Sequence, residues 1–106
     1  MFIRMTFVRF KPGTMPEVQA LYNDVVIPKM KQQPGLRFVH FLEQVDDRNA
    51  GISITAWDTS KDAEAYEGTG IYPQLLANFE RWYAAPPELR SYDVTVSSDP
   101  ILLRIF

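Results

Sequence analysis

Residues 54–67 read Ile-Thr-Ala-Trp-Asp-Thr-Ser-Lys-Asp-Ala-Glu-Ala-Tyr-Glu. A run of β-formers ends at Trp57, a polar break follows, and helix formers begin. Thr59 or Ser60 can cap the helix, because a side-chain oxygen at its start accepts from an amide that the first turn leaves unpaired. Asp62 and Glu64 suit the positive end of the helix dipole. The stretch therefore reads as a strand, a turn and a helix, with an indole at the strand end and the Tyr66 phenol on the helix.

Working upstream, residues 52–57 form that strand, and the polar run 46–51 reads as a hairpin turn of the longer kind. Residues 36–45 form the partner strand. Pro34-Gly35 stops a preceding helix, whose apolar stripe is Val18, Leu21, Tyr22, Val25, Val26 and Met30. Thr14-Met15-Pro16-Glu17 fits a capping box at its start, and Pro28 predicts a kink because proline has no amide hydrogen to donate. Residues 2–10 are a first strand closed by Lys11-Pro12-Gly13. Downstream, Gly68-Thr69-Gly70 interrupts the second helix. A further piece over 71–85 places Tyr72, Leu75, Leu76, Phe79, Trp82 and Tyr83 on one face, and Pro86-Pro87 ends it. Residues 89–96 form a fourth strand. Ser97-Ser98-Asp99-Pro100 is a break, and 101–106 is an extended apolar tail.

The order is β-α-β-β-α-β, the ferredoxin-like α+β unit with an antiparallel four-stranded sheet. At 106 residues the chain is expected to be one domain over 1–106, with 100–106 as an apolar C-terminal tail. The formal net charge is −2, which gives no basic face for nucleic acid. There is no cysteine, so disulfides and thiolate chemistry are excluded. No apolar run approaches the ~20 residues of a membrane span. Arginines interrupt the N-terminal apolar run, which reads as a strand and not as a targeting segment. A cytoplasmic protein without membrane partner is the expectation.

Two helices on one sheet face leave the other face open. Leu36, Phe38, His40 and Leu42 share one side of the second strand, and Arg37, Val39, Phe41, Glu43 and Val45 the other. In the first strand Ile3, Met5 and Phe7 oppose Phe2, Val8 and Phe10. Both sides carry large apolar groups, so alternation alone does not say which meets the helices. Each 100 Å² of apolar surface covered is worth about 2.5 kcal/mol. A second copy of the chain is the simplest cover, which predicts a homodimer through the open sheet face. The tail 101–106 lies either on that partner or on its own subunit.

The chain resembles the antibiotic-biosynthesis monooxygenases of the dimeric α/β-barrel class. The carrying residues are Lys11-Pro12-Gly13, Gln33-Pro34-Gly35-Leu36, and Ala56-Trp57-Asp58-Thr59-Ser60-Lys61-Asp62-Ala63 with its helix through Tyr66 to Pro73. The resemblance implies a homodimer with a pocket between sheet and helices. It also implies oxidation of a small aromatic molecule, a quinol or polyketide-like compound, by O2 without cofactor or metal. The alternative within the fold is a non-catalytic ligand-binding or stress-type barrel. A haem-degrading branch would want an asparagine in the first strand, a tryptophan on the second helix and a ligating histidine ten positions later. Here those positions offer Thr6-Phe7, Tyr66 and Leu76, which speaks against haem.

Candidate catalytic residues are His40, Trp57, Tyr66 and Tyr72. His40 is the sole histidine and the natural base near neutral pH. Trp57 offers an indole N–H or a stacking face, or simply covers the strand–helix junction. Tyr66 and Tyr72 flank the glycine break, where a lid is plausible. Phe38, Asn78, Phe79 and Trp82 are candidate substrate contacts. One histidine without carboxylate or cysteine spacing gives no metal site, and there is no GxGxxG, P-loop or GxSxG.

Overall fold

The computed structural model of the chain describes residues 1–99. The elements are β1 (Phe2–Arg9), α1 (Met15–Leu21), a π-helical turn (Tyr22–Val26), α2 (Ile27–Met30), β2 (Leu36–Gln44), β3 (Asp47–Trp57), α3 (Ser60–Gly68), α4 (Ile71–Ala77), a single 3-10 turn (Glu80–Trp82) and β4 (Glu88–Asp93). The sheet order is β2-β3-β1-β4 with every neighbouring pair antiparallel. This is the ferredoxin-like α+β arrangement expected from the element order. The tail expected over 100–106 lies outside the described residues.

The structure decides which sheet face meets the helices. In β1 the even residues Arg4, Thr6 and Val8 are buried, and so is Phe10 just beyond it, while Ile3, Met5 and Phe7 are only half-buried. In β2 Val39 and Phe41 pack on the core. A register shift between Leu36 and Phe38 marks a bulge around Arg37. The extra residue brings Leu36 to the core side with Val39 and Phe41. The open face is then built from Met5 beside Ile54, Phe7 beside Ile52, and Phe38, His40 and Leu42 on β2. The largest fully buried side chains on the covered side are Trp57, Met30 and Val18.

Four local expectations are corrected. The hairpin turn is tight: β3 starts at Asp47, and Gln44 pairs with Asp47. The charges expected in a loop are instead satisfied across strands, Arg9 to Asp47 at 2.8 Å and Arg48 to Glu43 at 2.6 Å. Thr14 precedes α1 but makes no side-chain cap. Its backbone is not extended (φ −94°, ψ −7°), and its hydroxyl donates to the Lys11 carbonyl at 2.8 Å. The helix expected over 71–85 ends at Ala77, because the chain beyond Trp82 joins the sheet. Lys11 N–H donates to the Trp82 carbonyl and Ala84 N–H to the Arg9 carbonyl, both at 2.8 Å. The fourth strand is also shorter than expected, Glu88–Asp93, with all six residues exposed.

The kink expected at Pro28 is realised as the π turn just before it. The Ile27 amide reaches back to the Tyr22 carbonyl, which widens the helix by one residue ahead of the position that cannot donate. At the other junction, Thr59 is the cap of α3: its Oγ1 accepts from the Asp62 amide at 3.2 Å and donates to the Asp62 carboxylate at 2.9 Å. Among the described residues no helix is long and apolar enough to cross a membrane.

Candidate functional site

Between the sheet and the helices lies a cavity of about 60 Å³. Its floor is β1 through Arg4, Thr6 and Val8, with Ser53 and Thr55 from β3 and Phe41 from β2. Its roof is Val18 of α1, Tyr22 and Val26 of the π turn, Met30, then Tyr66 of α3 and Tyr72, Leu75 and Leu76 of α4. Phe10, Phe79 and Tyr83 close one end, with Phe10 stacked on Tyr83 at 5.4 Å between ring centroids. The strand parity described above explains the floor: two polar residues, Arg4 and Thr6, stand where an apolar pair would otherwise seal the core.

Two pairs of hydroxyls in the lining are hydrogen-bonded. The Thr6 and Tyr72 hydroxyls are hydrogen-bonded at 2.8 Å. The Tyr22 hydroxyl is 2.8 Å from Ser53 Oγ and donates to the His40 carbonyl at 3.1 Å. Arg4 adds a guanidinium, paired through Nη1 with Glu67 Oε1 and lying 5.0 Å from the Tyr72 ring centroid. Burial pushes the phenols of Tyr22, Tyr66 and Tyr83 up to about 12, because the apolar surroundings disfavour a phenolate. These tyrosines are neutral near neutral pH and do not act as bases there.

Of the residues singled out from sequence, the fold brings Tyr66, Tyr72 and Phe79 together on the cavity. Trp57 does not line it. Its indole is fully buried behind Tyr66, ring centroids 5.0 Å apart, and its Nε1–H donates to Thr55 Oγ1 at 3.0 Å. His40 and Phe38 are stacked on each other at 4.5 Å on the opposite sheet face. Asn78 is exposed and donates to the Gln74 carbonyl, and Trp82 packs under Arg81 and against Phe79 outside the cavity wall. Arg4, Thr6, Tyr22, Ser53 and Thr55 were not anticipated. The available signal was polar residues at the inward parity of strands whose neighbours, Val8 and Phe10, are core.

Leu76, where the haem-degrading branch would place its ligand, lines the cavity with an isobutyl group that cannot bind iron. Among the described residues, no group of three or more acidic, histidine or cysteine side chains is placed to hold a metal ion.

The family model of the antibiotic biosynthesis monooxygenases matches residues 1–83. No curated protein matches the chain. Solved structures similar to it include a proposed antibiotic biosynthesis monooxygenase of Nitrosomonas europaea (TM-score 0.76, 20% identity, 91% of this chain and 100% of that one). Another, of the same description, comes from Deinococcus radiodurans (0.78, 10%, 93% and 97%). A third is a protein of Mycobacterium tuberculosis (0.75, 13%, 92% and 98%). At such identities the structural likeness is one of fold.

Proposed function

This chain belongs to the antibiotic biosynthesis monooxygenase family, and on that premise we propose that it oxidises a small aromatic quinol or polyketide-like compound with O2, the substrate itself supplying the electrons. The observation that carries this reading is the cavity: apolar and aromatic over most of its lining, with paired hydroxyls at Thr6–Tyr72 and Tyr22–Ser53. Such a lining orients one oxygenated edge of an aromatic ring and keeps bulk water away from a reactive intermediate.

The chemistry balances without a cofactor. The substrate ionises by losing one proton to solvent, and the resulting anion passes one electron to O2. The radical pair joins as a C–O bond at a ring carbon that bears hydrogen, the peroxide takes a proton back from solvent, and the hydroperoxide loses water to leave a carbonyl. One oxygen atom enters the product, the other leaves as water, and the substrate gives up two hydrogens. At about 60 Å³ the cavity is below the ~300 Å³ at which drug-sized pockets begin, so admission requires an opening. The element proposed to open is α4, which buries none of its residues fully and follows Gly70 in the left-handed region (φ +76°). Elements with few buried residues open at lower free energy than the core.

Oxygen uptake by metal-free protein against a panel of hydroquinones and anthrones tests the reading. Uptake well above the spontaneous rate is expected, and uptake at the spontaneous rate overturns it. A second reading is a ligand-binding barrel without turnover. One observation favours it: no carboxylate or imidazole lines the cavity among the described residues. Its signature is saturable binding of the same compounds with no oxygen consumption. In either reading the working unit is a homodimer joined through the open sheet face, which carries Ile3, Met5, Phe7, Ile52, Ile54 and Leu42.

A further inference from the structure

Arg4 has no part in the scheme above. Among the described residues that line the cavity it is the only charged one, and it is 3% exposed. A charge this deep requires partners. Nη1 has one, the Glu67 carboxylate, whose own side chain is 51% exposed. Nη2 has none: it is buried and makes no hydrogen bond among the described residues. The guanidinium is flanked by the rings of Tyr72 at 5.0 Å and Tyr66 at 5.9 Å. Those π-faces hold the group in place but do not satisfy an in-plane N–H. A buried, fixed, unsatisfied cationic donor beside an apolar cavity is an arrangement that stabilises an anionic oxygen in a low-dielectric setting.

We propose that the cavity takes its ligand ionised, as a hydroxyaromatic whose single phenolate or enolate oxygen accepts from Arg4 Nη2 alongside the Thr6–Tyr72 hydroxyl pair. A carboxylate is the poorer fit. It is best recognised by two parallel N–H donors, and the fork between the two terminal nitrogens is broken because Nη1 is already committed to Glu67. The proposal rests on the cavity being the ligand site and not on turnover. It deepens the oxygenase reading, because an ionised hydroxyaromatic is the form from which an electron passes to O2 most readily.

The probe is 4-nitrophenol, whose phenolate is yellow and whose phenol is not. The bound probe is expected to ionise about one pH unit lower than the free one, a roughly tenfold preference for phenolate, as an opposite charge within hydrogen-bonding range produces. Benzoate is expected to compete poorly. Arg4→Met is expected to abolish the preference. Because loss of a buried ion pair can unfold the chain, Glu67→Gln provides the second arm. It removes the competing negative charge from the solvent side and is expected to strengthen phenolate binding several-fold. Ionisation of the bound probe at or above the free midpoint overturns the proposal. So does benzoate outcompeting the phenolate, a Glu67→Gln variant with unchanged or weaker preference, or failure of 4-nitrophenol to bind in either form. The two readings fail separately. Phenolate bound without oxygen uptake leaves this site and removes the oxygenase. Oxygen uptake that survives Arg4→Met, with neutral probe preferred, does the reverse.

Discussion

Trp57 has no exposed surface, and its indole N–H is spent on Thr55 at the end of the strand that carries both. Its ring backs Tyr66, so its effect on the cavity runs through that phenol. Trp57→Ala is expected to destabilise the fold by about 3–5 kcal/mol, read from the shift in a urea unfolding midpoint. Trp57→Phe is expected to lose far less, since a ring still backs Tyr66. His40 lies on the far side of the sheet, stacked on Phe38. His40→Ala is therefore expected to leave 4-nitrophenol binding in the cavity unchanged, and a weakened affinity would show that the imidazole reaches the site. These two residues show how the candidate site was only partly legible. Residue type singles out a lone histidine, but in a strand one step of parity decides which side of the sheet it serves. Arg4 is the reverse case: an arginine near an N-terminus looks like solvated charge until the pairing of β1 places it under the helices.

At the scale of elements, the turns were legible where backbone chemistry fixes them. Gly35 and Gly70 both sit at positive φ, +79° and +76°. They differ in what surrounds them. A Cβ on Gly35 would come within 2.3 Å of the Asp62 side chain, whereas one on Gly70 would meet nothing within 4 Å. Gly70→Ala therefore bears only the left-handed backbone penalty of about 1–2 kcal/mol. Gly35→Ala adds displacement of Asp62 from its cap with Thr59, a further loss of about 1 kcal/mol. Thermal unfolding of the two variants is expected to rank Gly35→Ala as the more damaging; the opposite order would mean that the Thr59 cap carries little. The capping box expected at Thr14 does not form, for a related reason. The sequence shows a threonine with glutamate three residues on, but the preceding Lys11-Pro12-Gly13 turn offers its hydroxyl a nearer acceptor.

For the whole molecule, the raised phenol pKa values become a pH dependence. Tyr22, Tyr66 and Tyr83 hold their protons to about pH 12 when folded, against an ordinary value of 10. Between these values the unfolded chain has released protons that the folded chain keeps, so stability falls as pH rises. Their contribution is fully present below pH 10 and is lost between 10 and 12. Urea midpoints followed across that range, with tyrosinate absorbance as the second signal, are expected to fall together; a flat profile through pH 12 would contradict the burial of these phenols. The open face provides the other test. Ile54→Glu places a charge at its centre, beside Met5 and His40, and is expected to give a monomeric mass by sedimentation, whereas a dimer is expected of the unaltered chain. A monomeric mass for the unaltered chain at micromolar concentration removes the dimer.

The amino-acid sequence by itself determined the order of elements, the glycine turns at Gly13, Gly35 and Gly70, and the start of α3 to within Thr59 or Ser60. Each depends on interactions within a few residues, which local composition encodes. It also carried the family resemblance, because the strand–turn–helix motif at Trp57 to Tyr66 is local. Only the tertiary structure decided which sheet face the helices cover, since both faces are apolar and the bulge at Arg37 breaks the alternation. It alone brought Arg4 beneath Tyr72 and beside Glu67, a pairing of residues 63 positions apart. Burial converts an ordinary surface charge into an unsatisfied donor, and burial is a property of the packed chain, not of any stretch of it.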